Sequence, residues 1–396
     1  MELTKAKQNE YLKRALLAAD WFVGSQLGEY RPHWNADRGR FLYYYYKKDG
    51  RYVPGINWTQ GRAISILAEA YKITKDKKYL NSAELGARYL FALQQMDPYF
   101  PKTVGVFKEE TPQGERGGIL DGAQAASSLV FLYQVTKNKE YLRRVKAFCD
   151  FGVRHYDKKK GLPSMVYFYP KIEIEHDWDA CIQWCSAIPY WHLYKLQKEK
   201  AYKDIILNST DKMMACQKEN GAWVHKVEKK PKIPVPNQHH GYGKGIDRIY
   251  LRNDDGLITM VLAAYRITKS SVYKNSCLKY AEWILANGGM DRPFCSFPVQ
   301  ANTLIDIGNE FGQDYTPWVL KYLDKHLLKL QVTKSKDKSA LGGFCGEDEE
   351  GNSGIFGGNT FDYVTTRMTT YCAGTLLRLS GKGNGAIFSV NGIDSK

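Results

Sequence analysis

The stretch Lys72-Ile-Thr-Lys-Asp-Lys-Lys-Tyr79-Leu80 separates two apolar segments that have the periodicity of helices. The same phrase of helix-like segment, short polar turn and opening tyrosine returns at 134–142, 195–203 and 266–274. Its four tyrosines, between 61 and 71 residues apart, are Tyr79, Tyr141, Tyr202 and Tyr273. A helix–turn–helix unit that recurs with a variable remainder is typical of helical arrays and closed helical toroids.

Apolar periodicity and helix breakers predict twelve helices along the chain. They span 4–26, 58–73, 79–95, 121–135, 140–156, 179–196, 201–217, 253–267, 273–286, 297–311, 315–331 and 361–380. A degenerate fifth turn falls at 309–315, and the last helix pairs with the first. Six hairpins in a ring predict an all-α fold, an (α/α)6 toroid, with 1–396 as one catalytic domain.

The lengths of the connecting segments support the closed ring and indicate where function lies. Turns within a hairpin are short, whereas most segments between hairpins are long, namely 27–57, 96–120, 157–178, 218–252 and 332–360. Long loops in a compact helical domain usually carry function. An open solenoid is the alternative, but its repeats are shorter and its loops uniformly short. The long loops are rich in aromatic residues, and 41–46 is expected to pair with 51–53 as a small hairpin.

Composition narrows the classes of partner. The chain has 396 residues, 43% of them hydrophobic, and a formal net charge of +15. The mean hydropathy is −0.47 and no apolar run reaches membrane-spanning length, so no membrane partner is expected. The charge suits nucleic acid or an acidic polysaccharide. Because no nucleic-acid-binding motif accompanies it, the second is favoured.

The cysteines and the N-terminal sequence bear on cofactors, metal sites and localisation. Eight cysteines are scattered without metal-ligand spacing, so we expect reduced thiols, no metal site and no cofactor. The polar N-terminus lacks the pattern of a secretory signal, which predicts a cytoplasmic protein, or a periplasmic one if a signal has been removed. The sequence gives no oligomeric state.

Polar side chains cluster where the inner helices of the toroid begin. As catalytic candidates we select the carboxylates Asp121, Asp254 and Asp255. Candidate substrate-binding residues are Trp58, Gln60, Arg62, Gln124, His176, Asp179, Trp184, His240, Tyr242, Arg252, Asp362 and Arg367. An aspartate at a helix start also serves as an N-cap, so each one alone is weakly informative. Together, paired carboxylates would perform acid and base catalysis on a glycoside, and arginines would bind a sugar carboxylate.

The stretch from Ile119 to Leu142, with Asp121 near its start, resembles the segment that bears the catalytic aspartate in unsaturated glucuronyl and rhamnogalacturonyl hydrolases. Trp58-Thr-Gln-Gly-Arg62 is similar to helix starts in these six-hairpin glycosidases and in uronate epimerases. The resemblance implies an (α/α)6 barrel with Asp121 as general acid. Those hydrolases also carry an aspartate near the start of the second helix, where this chain has Gln60 and Arg62. A toroidal β-glucuronidase is therefore an equal match.

The sequence thus predicts a glycoside hydrolase that acts on an acidic, uronic-acid-containing oligosaccharide, either a glucuronide or an unsaturated uronide. A polysaccharide lyase or sugar epimerase on the same toroid is the first alternative, with His240 or Tyr242 abstracting a proton next to a carboxylate. A non-catalytic helical-repeat protein that binds polyanions is the second.

Overall fold

The structure is a computed structural model that describes residues 3–28, 37–176, 188–225, 248–249, 257–287, 296–346 and 359–385. Within these ranges the chain forms twelve α-helices. They are α1 (Lys5–Ser25), α2 (Asn57–Thr74), α3 (Lys77–Leu93), α4 (Ile119–Thr136), α5 (Lys139–His155), α6 (Ile188–Gln197), α7 (Lys200–Met214), α8 (Leu257–Thr268), α9 (Ser271–Asn287), α10 (Ser296–Phe311), α11 (Thr316–Lys325) and α12 (Thr366–Leu379).

The helices form two concentric layers. The even-numbered helices contact one another in order around a ring, and α12 contacts α2 to close it. Every residue of α2 from Asn57 to Ala70 is buried, as a helix enclosed on all sides requires. The odd-numbered helices form the outer layer. This arrangement is the (α/α)6 toroid predicted from the sequence, and no helix in the described ranges has the length and apolarity to cross a membrane.

The repeated turn has one conformation in all four copies. A lysine ends the inner helix in the left-handed region, and the four residues are Lys75 (φ 61°), Lys137 (φ 60°), Lys198 (φ 61°) and Lys269 (φ 57°). A left-handed residue after the last turn stops a helix and redirects the chain. The next outer helix then begins, capped in the first copy by Asp76, whose carboxylate accepts from the Lys78 N–H at 3.0 Å.

In three of the four repeats the tyrosine that opens an outer helix ties it to the previous outer helix, and Tyr11 of α1 makes the same kind of contact. Hydroxyl-to-carboxylate hydrogen bonds join Tyr79 to Asp20 at 2.9 Å, Tyr202 to Asp150 at 2.9 Å, Tyr273 to Asp211 at 2.6 Å and Tyr11 to Asp324 at 3.0 Å. The last pair joins α1 to α11 and closes the outer layer across the two ends of the chain. The opening tyrosine is therefore a structural residue of the toroid.

A second recurring unit anchors the beginning of four connectors to the next outer helix. A glutamine after an outer helix donates through Nε2 to two backbone carbonyls, one of a glycine in its own connector and one in the next outer helix. The glutamine–glycine pairs are Gln26–Gly39, Gln94–Gly105, Gln217–Gly221 and Gln331–Gly342. All four glycines have positive φ, between 86° and 104°, and each lies against the backbone of the next outer helix. We call this unit the glutamine clamp.

Eight short strands lie in the parts of the connectors that the structure describes. β1 (Leu42–Tyr46) pairs antiparallel with β2 (Tyr52–Pro54), which confirms the predicted hairpin, and also with β8 (Tyr363–Thr365). β3 (Arg116–Gly118), β4 (Pro163–Tyr167) and β5 (Glu173–His176) form a second sheet. β6 (Val224–His225) pairs with β7 (Arg248–Ile249).

Two predicted helix boundaries were wrong. The helix predicted over 315–331 ends at Lys325 and is followed by a 3₁₀ turn, Leu327–Leu330. The helix predicted from 361 begins at Thr366, because Tyr363–Thr365 pair with β1 as strand β8. Five of the eight cysteines lie in the described ranges, and these five are buried free thiols.

Candidate active site

The first turns of α2 and α4 lie in direct contact, and this contact defines the site. Gly61 makes it possible, because a Cβ on that residue would stand 2.4 Å from the backbone oxygen of Gln124. The close approach brings the Trp58 and Arg62 side of α2 next to the start of α4. Asp121 lies in the first turn of α4, where the helix dipole favours a negative charge.

Asp121 shares this place with a second carboxylate, that of Glu109. A Cβ built on Gly118 would lie 3.0 Å from Glu109 Oε1 and 3.6 Å from Asp121 Oδ2, so both carboxylates flank one bare stretch of backbone. Glu109 is 6% exposed, and its Oε2 accepts a hydrogen bond from Arg116 Nε. Its loop is held in place because Glu109 N donates to Arg116 O, while Asn57 N donates to Glu109 O at 2.8 Å.

Burial governs the ionisation of both carboxylates. It raises the pKa of Glu109, and the negative charge of Asp121 raises it further, against the opposing effect of Arg116. Burial also raises the pKa of Asp121, whereas Arg367, Arg62 and Arg116 act in the opposite direction. Two buried carboxylates with raised pKa values can keep one proton at a pH where an exposed pair would have lost both.

The two carboxyl groups differ in what they can reach. Asp121 is a partly exposed residue although protein atoms surround its carboxyl group closely, and no described residue donates a hydrogen bond to its carboxylate. Glu109 is nearly enclosed and is held by Arg116. Asp121 is therefore the carboxyl group of this pair that is better placed to meet a bound molecule.

Two arginines pack on one tryptophan beside Asp121. The guanidinium carbons of Arg62 and Arg367 lie 4.4 and 4.7 Å from the ring centroid of Trp58. Arg62 also lies 4.7 Å from the ring of Tyr371. Cation–π contacts of this kind hold guanidinium groups in fixed orientations. The result is a rigid positive region next to the carboxylate pair, since Arg62 is 1% and Arg367 9% exposed.

Tyrosines extend the aromatic surface from Trp58 along β1. The rings of Tyr43 and Trp58 meet edge to face at 5.3 Å, and Tyr43 stacks on Tyr44 at 4.2 Å. Tyr363 of β8 lies 6.3 Å from Tyr44. Because Tyr43 and Tyr44 are only half-buried, this row of rings offers partly open faces of the kind that pack on sugar rings.

Gly118 is also the last residue of β3, so the site adjoins the sheet β3–β4–β5. Gly118 pairs with Met165 of β4, and Met165 pairs with Glu175 of β5. Glu175 is 5% exposed and accepts a long hydrogen bond, 3.5 Å, from the Tyr167 hydroxyl. Burial raises the pKa of Tyr167 to about 12, with Glu175 contributing, so this hydroxyl stays protonated and available as a donor.

Of the candidate residues that the structure describes, some lie together at the site and others lie elsewhere. It brings Trp58, Arg62, Asp121 and Arg367 together, with Gln124 in the same first turns. Gln60 is fully buried, and its Oε1 accepts from the Phe41 N–H at 3.3 Å. The Nε2 of His176 lies 2.8 Å from the backbone oxygen of His155.

Asp362 has a different environment from these residues. Its carboxylate pairs with Lys48 Nζ at 2.7 Å near the surface, and that contact lowers its pKa. Seven further candidates lie outside the described residues, namely Asp179, Trp184, His240, Tyr242, Arg252, Asp254 and Asp255. The roles assigned to all of the candidate residues remain predictions.

Sequence reasoning missed Glu109, although a signal for it was present. Each clamp glycine is followed two residues later by an aromatic residue, as in Gly105-Val106-Phe107. Glu109 stands two residues beyond that aromatic residue, the position that Tyr43 holds after Phe41 in the first connector. Aligning the connectors on this phrase would have selected Glu109.

Comparison with solved structures yields the same architecture. An unsaturated glucuronyl hydrolase specific for heparin superposes with a TM-score of 0.66 at 14% identity, covering 94% of this chain and 98% of the other. Cellobiose 2-epimerase from Bacillus thermoamylovorans B4167 gives 0.68 at 11% identity, covering 93% and 100%. The family 76 mannosidase Bt3792 from Bacteroides thetaiotaomicron VPI-5482 gives 0.64 at 14% identity, covering 93% and 99%.

Sequence comparison is more specific about the family. None of the curated proteins compared with the chain is similar enough in sequence to count as a relative. The model of the family described as Glycosyl Hydrolase Family 88, in contrast, matches residues 46–246, just over half of the chain. The match includes the starts of α2 and α4, Glu109 and the sheet β3–β4–β5. The chain belongs to glycosyl hydrolase family 88.

Proposed function

We propose that this hydrolase cleaves uronic-acid-containing oligosaccharides, with Asp121 exchanging the proton and Glu109 setting the pKa of Asp121. The observation that carries the proposal is the Glu109–Asp121 pair beside Gly118, in which Glu109 is buried and Asp121 is a partly exposed residue. Family membership supports the reaction class, and the single catalytic domain expected over 1–396 is part of the proposal.

Hydrolysis needs one acid and one base. In the first step protonated Asp121 gives its proton to the oxygen that leaves, as the bond between sugar and oxygen breaks. Water then adds to the sugar, and the carboxylate pair takes up the proton that this water loses. Glu109 acts through Asp121: the negative charge of Asp121 raises the pKa of Glu109, and because repulsion between two carboxylates is mutual, an ionised Glu109 opposes the ionisation of Asp121.

The positive region supports an acidic substrate. Arg62 and Arg367 lie against Trp58 and within electrostatic range of Asp121, where a sugar carboxylate would gain charge-assisted hydrogen bonds. The half-buried rings of Tyr43 and Tyr44 would pack on the sugar or on the group that follows it. We therefore propose a substrate with a terminal uronate.

A substrate panel tests the proposal. Purified protein is incubated with saturated aryl glucuronides, with unsaturated uronyl disaccharides prepared by lyase digestion, and with uncharged aryl glycosides. We expect turnover of at least one uronide and none of the uncharged glycosides. Loss of the ultraviolet absorbance of the double bond identifies an unsaturated substrate. A lack of turnover on every uronide, or the appearance of new absorbance from a polymeric substrate, would contradict hydrolysis.

Variants identify the residues involved. Asp121→Asn is expected to lower kcat by at least about a thousandfold while the thermal unfolding temperature shows a folded protein. Asp150→Asn, in an outer helix, is the control and should leave kcat unchanged, because the Asp150 carboxylate accepts hydrogen bonds from Tyr202 and Lys146 in the outer layer, away from the site. Arg367→Gln should raise KM for the uronide more than it lowers kcat.

A further inference from the structure

The opposite end of the toroid contains a second polar cavity. It measures about 540 Å³ and is lined by Trp191, Tyr194, Lys195, Lys198, Arg266, Ile267, Lys269 and Glu310. These residues lie at the ends of α6, α8 and α10 and in the turns that follow, whereas the Asp121 site lies at helix starts. A helix of 18 residues such as α2 is about 27 Å long, so the two sites are well separated. We call this cavity the turn-face cavity.

Its charge is strongly positive. Four of the eight lining residues are cationic, and the only lining carboxylate, Glu310, pairs with Arg266, whose Nε lies 2.8 Å from Glu310 Oε2. Lys198 and Lys269 are exposed and sit in the left-handed turn positions described above, so the turn geometry holds both at the cavity edge. Cations near the C-terminal end of a helix also interact favourably with the helix dipole, but that interaction does not require a cavity.

The aromatic rings of the cavity are already covered by cations. The ammonium groups of Lys195 and Lys198 lie 5.5 and 5.3 Å from the ring centroids of Trp191 and Tyr194. Trp191 is only 4% exposed. A nucleic-acid strand binds such sites by stacking bases on open ring faces, which this cavity lacks. Recognition here depends on charge and on N–H donors instead.

We propose that the turn-face cavity is a second, non-catalytic binding site for an anionic saccharide unit, one that carries a carboxylate or a sulfate group. Its volume suits one or two sugar residues, and its lysines and arginine are the donors such groups need. A polymer held here keeps further cleavable ends near the protein and raises their effective concentration at the Asp121 site. This role rests on the proposed function, but the binding itself does not.

Binding is tested by calorimetry on the full chain. The probes are an oligogalacturonate, a sulfated heparin-derived oligosaccharide, inorganic sulfate and an oligothymidylate. The variant is Lys198→Glu with Lys269→Glu, and the matched control is Lys13→Glu with Lys279→Glu, two exposed lysines on outer helices that give the same change in net charge.

We expect the cavity variant to bind one of the two oligosaccharides at least roughly tenfold more weakly than the parent protein, and the control to change it by less than about twofold. Whichever oligosaccharide binds identifies the anionic group. If charge reversal prevents folding, Lys198→Gln with Lys269→Gln should weaken binding about threefold.

Turnover of a small uronide should be the same in all of these variants, which separates the outcome from that of the catalytic proposal. Four results would overturn the second site. They are an equal loss in the cavity and control variants, tighter binding of the oligothymidylate, binding of inorganic sulfate as tight as that of the oligosaccharides, or no binding of either oligosaccharide.

Discussion

Replacing Glu109 by glutamine removes one negative charge from the carboxylate pair while keeping the shape of the side chain. The two carboxylate oxygens lie 3.0 and 3.6 Å from one point beside Gly118. These two oxygens are therefore at most about 6.6 Å apart, and unit charges at that distance with an effective dielectric constant of about 20 interact by about 2.5 kcal/mol, equivalent to about 2 pKa units. Solvent at the exposed edge of Asp121 reduces this effect, so we expect a shift of about 1 to 2 units.

The direction of the shift follows from the charges. The negative charge of Asp121 raises the pKa of Glu109, and because this repulsion is mutual, an ionised Glu109 opposes the ionisation of Asp121. Removal of the Glu109 carboxylate also takes away the partner of Arg116, so that the Arg116 guanidinium acts only on Asp121. Both changes lower the pKa of Asp121. If Asp121 must be protonated to act, the alkaline limb of kcat against pH moves to lower pH in Glu109→Gln.

The assay is the pH–rate profile on the best uronide, recorded for the parent protein, Glu109→Gln and the control Glu110→Gln. Glu110 is the exposed neighbour, and its charge contributes least to the raised pKa of Glu109. We expect the control to move the limb by less than about 0.3 units. An alkaline limb that stays in place in Glu109→Gln, or moves to higher pH, would refute the role assigned to Glu109.

Protein stability gives a second readout that needs no substrate. Because the pKa of Glu109 is raised in the folded state, its contribution to stability is full at low pH and is lost as pH rises through the folded pKa. Glutamine does not ionise. The unfolding temperature of Glu109→Gln, relative to the parent protein, should therefore increase as pH rises from mildly acidic to mildly alkaline.

Two further predictions concern the scaffold. Gly61→Ala places a methyl group 2.4 Å from the Gln124 carbonyl oxygen, so separating α2 from α4 should cost about 1–3 kcal/mol and reduce kcat, as chemical denaturation and kinetics will show. Tyr79→Phe removes the hydrogen bond to Asp20 and should cost about 1 kcal/mol, whereas Tyr141→Phe, whose hydroxyl bonds to no described residue, should cost less than half of that in the same experiment.

The sequence predicted the toroid because its turns are local. Whether a helix stops at Lys75 depends on the residues around it, and the same chemistry recurs at Lys137, Lys198 and Lys269. Strand β8 was missed for the opposite reason. Its three residues continue an apolar helical pattern, but pairing with Tyr44–Tyr46, more than 300 residues earlier, determines their conformation.

The site was only partly predictable for a similar reason. Asp121 and Arg62 lie at helix starts, and helix starts can be read from periodicity and breakers. Glu109 lies in an irregular loop, where periodicity gives no direction for a side chain. Its position depends on the backbone bonds from Asn57 and to Arg116, and therefore on the approach of another helix and a strand.

The glutamine clamp explains how an irregular loop can hold Glu109 in a fixed position. In the connector that carries Glu109, the Nε2 of Gln94 bonds the backbone oxygens of Gly105 and Arg144, so the chain is tied to α5 only four residues before Glu109. The bond from Asn57 then ties Glu109 itself to α2. Most of the ordering entropy of this loop is thus lost on folding rather than on binding substrate. Because the same clamp recurs in four connectors, the residues beyond each clamp can differ in sequence while the toroid keeps its geometry, so substrate specificity should depend on these residues and not on the turns.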